Sequence, residues 1–237
     1  MKSKRAGKQT LLFTEPPRVI ASAAIVGELE GQGPLGGYFD EVLTDDTWGE
    51  ESWEKAERKM FEQSVRRALD KIGLESGDMD CLLGGDLLNQ IISANFAARE
   101  LKTPFLGLYG ACSTMAESLL IGSMLIDGGY AGRVACAATS HFCTAERQFR
   151  SPLEMGGQTT PTAQRTVTGA GSSILAYEGY TGKMLYGNVF ITAATIGRVV
   201  DLGITDTTNM GAAMAPAAAD TLCAHLSETG RSIRDYG

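Results

Sequence analysis

Between Thr103 and Asp127 an apolar run, a tight turn and an amphipathic run follow one another with no spacer. Thr103–Tyr109 reads as a buried strand, Gly110-Ala111 turns the chain, and Cys112 sits where a helix opens. Thr114 and Glu117 match the T-x-x-E capping box, in which hydroxyl and carboxylate satisfy free first-turn amides. Ala116, Leu119, Leu120, Ser123 and Met124 then fall at helical spacing, and Asp127-Gly128-Gly129 ends the run. A thiol at a helix start feels the positive end of the dipole, which favours thiolate, and free amides there favour an anion. A buried structural cysteine fits the same local sequence.

Strands and helices alternate along the rest of the chain. Val19–Val26, Asp80–Gly85, Arg133–Thr139, Val167–Tyr177 and Tyr186–Ile196 are short apolar runs with strand character. Trp48–Ile72, Asn89–Leu101 and Ala213–Leu226 carry helical periodicity, and Gly73 stops the first. This order predicts an α/β fold with a mostly parallel sheet covered on both faces. Ligands of such sheets collect at the C-terminal strand ends. Asp86, Cys112 and Ser140-His141 all fall there. Gly31–Gly37 reads as a loop, and residues 142–165 as a long polar segment.

A shift of 157 residues aligns Val65 with Leu222, Leu69 with Leu226, Gly73 with Gly230, Asp78 with Asp235 and Met79 with Tyr236. Two related halves explain the match, as does chance similarity of two amphipathic helices.

A net charge of −7 argues against a general nucleic-acid surface. Five scattered cysteines without a C-x-x-C pair point to free thiols in a reducing compartment, with Cys81 and Cys136 in the core. Two histidines leave no His-rich zinc site, and neither metal nor cofactor is expected. Glu117 and Asp127 interrupt the best apolar stretch, so no membrane-spanning segment is expected.

The strand entering Gly110-Ala-Cys-Ser113 within a duplicated αβ layout resembles the thiolase fold. Gly84-Gly-Asp-Leu-Leu-Asn-Gln90, Thr144-Ala-Glu-Arg-Gln-Phe-Arg150, Asp201–Asp206 and Ala213–Asp220 are similar to the thiolase-like stage V sporulation protein AD family of spore-forming bacteria. That resemblance runs from about Gly7 to the last residue. It implies a non-enzymatic protein that binds dipicolinate, a pyridine dicarboxylate, and helps load it with calcium into the developing spore. It implies a cytoplasmic protein, peripheral at the forespore or spore inner membrane, beside membrane proteins of the same operon. A homodimer is implied for the full-length form. On this layout residues 1–182 form a complete N-terminal thiolase-like half, and 183–237 the first strand and helix of a C-terminal half that is cut short. The other class implied by the fold is a Cys112-dependent acyltransferase acting on acyl thioesters.

The candidate ligand-binding residues are Asp86, Asn89, Gln90, Cys112, Ser113, His141, Arg147 and Arg150. Cys112 would floor the pocket. Asp86 would orient the ligand or cap the following helix. Asn89 and Gln90 supply amide donors or a solvated helix start. His141 pairs with ligand or thiol, or is merely hydrogen-bonded structure. Arg147 and Arg150 suit a bidentate carboxylate, and equally suit ion pairs with Glu146 and Glu154.

Overall fold

Five strands that run the same way carry the fold: β2 (Arg18–Val26), β3 (Glu41–Val42), β4 (Cys81–Gly85), β5 (Phe105–Gly107) and β6 (Arg133–Ser140). A sixth, β7 (Gly169–Ala176), is antiparallel and inserts between β2 and β6, giving the order β3-β2-β7-β6-β4-β5. The structure is a computed structural model that describes residues 4–149, 165–206 and 209–236.

Alternation along the central strands explains why both faces are covered. Leu82, Ala135, Ala137 and Ile174 face one layer, where they meet Phe61, Val65 and Leu69 of α2 (Trp53–Ile72) and Ala94, Ala97 and Leu101 of α3 (Ile92–Leu101). Leu83, Val134, Cys136 and Leu175 face the other, against Met115, Leu119 and Ile126 of α4 (Thr114–Asp127). Cys81 and Cys136 are both buried, as core cysteines should be. Glycine is required where β4 meets its neighbours. A Cβ on Gly84 would stand 2.1 Å from the Ala137 carbonyl oxygen, and one on Gly85 2.0 Å from that of Leu108.

Several boundaries differ from the sequence reading. The helix expected from Trp48 starts at Trp53, because Ser52 caps it by accepting the Lys55 amide at 3.3 Å, and Trp48 lies outside with φ 47°. The strand expected over Thr103–Tyr109 pairs only along Phe105–Gly107, since β5 is the sheet edge. The Thr114/Glu117 capping box does not form. Thr114 is the first residue of α4, and its hydroxyl instead accepts the Gly110 amide at 3.2 Å. Part of the segment read as polar loop is helix α5 (Phe142–Phe149). Arg150, Glu154 and Gly156-Gly-Gln158 lie outside the described residues.

The strand expected over Tyr186–Ile196 is confined to β8 (Ala193–Thr195), which pairs antiparallel with β1 (Thr10–Leu12). Helix α6 (Met210–Thr229) packs on this ribbon. Its relation to α2 is close. Both helices have 20 residues at the 157-residue offset, and both end at a left-handed glycine, Gly73 (φ 70°) and Gly230 (φ 69°). Each is followed by a 3₁₀ turn with its own capping box, Glu75/Asp78 in one case and Ser232/Asp235 in the other. The two differ in burial, for α2 buries nine residues while α6 buries none among those described.

Among the described residues no helix is long and apolar enough to cross a membrane.

Candidate functional site

The C-terminal ends of β4, β5 and β6 meet the start of β7 along one sheet edge, because an antiparallel strand begins where its parallel neighbours finish. Ser140 pairs with Gly169, and the Ser140 hydroxyl donates to the Val167 carbonyl at 2.6 Å. A cavity of about 590 Å³ opens at this edge. Cys112, Ala111 and Met115 line one side, Ser140 the base, and Arg165 and Thr166 the other. Tyr109, 54% exposed, stands at the mouth. The volume lies in the range of small-ligand pockets.

Cys112 occupies a single 3₁₀ turn, Ala111–Ser113, between strand and helix. Ala111 adopts φ 48°, a left-handed conformation that costs a non-glycine residue about 1 kcal/mol or more. This twist sets the exposed thiol on the cavity wall. The turn also consumes amides expected to be free for an anion. The Ser113 amide donates to Gly110 O at 3.0 Å, and that of Thr114 to Ala111 O. The Ser113 hydroxyl is likewise spent on Gly110 O at 2.8 Å.

Among the described candidates from the sequence, Cys112 alone lines the cavity. Asp86 is buried and works as a cap: its two oxygens accept the Leu88 and Ala94 amides, each at 2.7 Å. Burial pushes its carboxyl upward, and those amides oppose the shift. Asn89 and Gln90 form a tight turn before α3, in which Gln90 has φ 61° and the Asn89 amide donates to Gln148 Oε1 at 3.2 Å. His141 is fully buried, with both ring nitrogens engaged by backbone. Nε2 donates to Asp46 O at 2.6 Å, and Nδ1 accepts the Cys143 amide at 3.2 Å. Burial holds its pKa below the usual value, so the ring is neutral at pH 7. Arg147 turns away to α2, where it pairs with Glu54 and lies 5.8 Å from the Trp53 ring centre. Glu146 accepts the Thr166 hydroxyl at 2.8 Å.

Among the described residues the cation at the cavity is Arg165, which the sequence reading missed. Its guanidinium lies 3.9 Å from the ring centre of Phe142, a cation–π contact that holds it over the opening. The available signal was topological: a residue just before an antiparallel strand returns to the edge where the parallel strands end.

A mixed sheet sandwiched by helices, with cysteine at a strand-to-helix turn facing a cavity, is a thiolase-like fold. In agreement, the structure superposes with a TM-score of 0.63 on a variant of OleA from Xanthomonas campestris solved with cerulenin, at 13% identity over 94% of this chain and 73% of that one. A second structure of a variant of the same protein gives 0.62 at 12% identity, covering 94% and 75%. Sequence narrows the class. The family profile of stage V sporulation protein AD matches residues 7–237. The Stage V sporulation protein AD of Bacillus subtilis (strain 168) is 47% identical over 233 residues, which is 98% of this chain and 67% of that protein. The chain belongs to the stage V sporulation protein AD family and spans about two thirds of that relative's length.

Proposed function

We propose that the Cys112 cavity binds dipicolinate without forming a covalent bond, and that the protein serves sporulation by handing this ligand, with calcium, to membrane partners that load the developing spore. The observation that carries this reading is the grouping of Cys112, Tyr109 and Arg165 around one opening. A flat pyridine ring fits beside the Tyr109 ring and the small Ala111 turn. One carboxylate meets the Arg165 fork, whose geometry suits bidentate pairing. Arg165 thereby takes the role that sequence had given to Arg147. Neither histidine serves as a base beside the thiol: His141 is held by Asp46 and Cys143, and His225 by Thr195 and Tyr236. Cys112 then acts as a small wall residue rather than as a nucleophile.

The experiment is calorimetric titration of dipicolinate into the protein and its Arg165→Gln variant. Loss of a charge-assisted pair weakens binding about tenfold. Equal affinities for wild type and variant overturn this placement. The second reading, acyl transfer from a thioester to the Cys112 thiol, is favoured by that thiol's exposure at the cavity. Intact-mass analysis after incubation with acyl thioesters decides it: a stable adduct that disappears in Cys112→Ala supports acyl transfer.

A further inference from the structure

Two carboxylates set on either side of a ring nitrogen diverge, and one planar guanidinium cannot grip both in its fork. With one carboxylate of dipicolinate on Arg165, the other needs a donor of its own, because a charged group that leaves water without a partner is strongly disfavoured. Among the described residues the cavity wall carries four hydroxyls, and three of them are spent on the chain. Thr139 donates to the Gly169 carbonyl at 3.0 Å, Ser140 to that of Val167 and Thr166 to the Glu146 carboxylate. A hydroxyl has one proton, so none of the three also donates to a ligand. The fourth is the Tyr109 hydroxyl, which has no hydrogen-bond partner among the described residues. The Cys112 thiol beside it is only a weak donor.

The sheet order separates this hydroxyl from the cation. Tyr109 follows β5 and Arg165 precedes β7, with β4 and β6 between those strands. Neighbouring strands lie about 4.8 Å apart, so the two segments enter the cavity about 14 Å from each other. Neither side chain spans that distance, and each serves its own end of a ligand held between them. At the half-exposed mouth the Tyr109 hydroxyl gives up only water to meet a carboxylate, and a charged acceptor makes the stronger bond. We infer that Tyr109 is the specificity-determining residue of this cavity: its hydroxyl donates to the second carboxylate, so the site selects a ring bearing two carboxylates over a ring bearing one. This assignment rests on the dipicolinate reading and adds to it the residue that tells a dicarboxylate from a monocarboxylate.

The probes are dipicolinate and picolinate, which differ by one carboxylate, titrated calorimetrically into the whole protein and its variants. Tyr109→Phe keeps the ring and removes only the hydroxyl. It lowers dipicolinate affinity about tenfold and leaves picolinate affinity unchanged, so the preference between the two falls about tenfold. Arg165→Gln weakens both. Tyr130→Phe, at a tyrosine 84% exposed and outside the cavity, changes neither. Where picolinate binds too weakly for direct titration, its competition with dipicolinate gives the same ratio. No dipicolinate binding by the wild type, or no loss in Arg165→Gln, overturns the dipicolinate reading and this assignment with it. Arg165-dependent binding that is equal in wild type and Tyr109→Phe, or an equal loss of both ligands in Tyr109→Phe, overturns the Tyr109 assignment alone.

Discussion

Replacing Glu57 by glutamine should stabilise the protein at neutral pH, although it alters a fully buried side chain beneath α5. Glu57 Oε2 lies 2.8 Å from the Thr144 hydroxyl, which also stands 3.0 Å from the His141 carbonyl. One hydroxyl proton cannot serve both acceptors. A protonated Glu57 resolves this by donating to Thr144 while Thr144 donates to His141. The other oxygen, Oε1, has no partner, which a buried charge could ill tolerate. Burial first, and then the charge of Asp86, raise the carboxyl from its ordinary 4.5 to about 8. The folded state therefore holds a proton that the unfolded chain releases above pH 4.5. Stability from this group is complete below pH 4.5 and is lost as pH rises to about 8. At about 1.4 kcal/mol per pH unit, the loss by pH 7 is at most about 3.5 kcal/mol. Glutamine keeps a donor toward Thr144 and does not titrate. Urea unfolding of both proteins at pH 5, 7 and 8.5 is the assay, with the variant's advantage widening from pH 5 to pH 8. Stability curves that run parallel across this range would refute the protonated-acid assignment.

Three further outcomes follow from the same geometry. Cys112→Trp fills the cavity and abolishes dipicolinate binding, whereas Cys112→Ser keeps it, both read by calorimetry; full binding by Cys112→Trp places the ligand elsewhere. Asp86→Ala orphans the buried Leu88 and Ala94 amides and costs about 2–4 kcal/mol in chemical denaturation, far more than a surface substitution. Ser52→Ala removes the cap of α2 and lowers stability by about 1 kcal/mol, with the same denaturation experiment as its check.

The edge where the site lies was legible in the sequence, because apolar strands ending in Asp86, Cys112 and Ser140-His141 declare their direction through the helices that follow them. Side-chain direction was not legible. His141 reaches the right edge and then turns inward, drawn by the Asp46 carbonyl of a loop 95 residues away. Arg147 sits in the last turn of an eight-residue helix, too short a run to stand out from the polar segment around it, and that helix aims it at Glu54 rather than at the cavity. Arg165 needed the knowledge that β7 runs antiparallel, which depends on pairing with β2 and β6 and not on any local pattern. The core cysteines were readable because Cys81 and Cys136 lie in apolar runs, and the likeness of α2 to α6 because it keeps one spacing throughout.

The matched endings of α2 and α6 bear on how the chain acquires its form. One helix finishes against a packed core and the other with no buried residue, yet glycine, 3₁₀ turn and capping box recur position by position. The instruction to stop is therefore written in about six residues and needs no surroundings to execute it. Such a punctuation mark can form early, before distant strands have met, and fixes the direction in which each helix hands the chain onward.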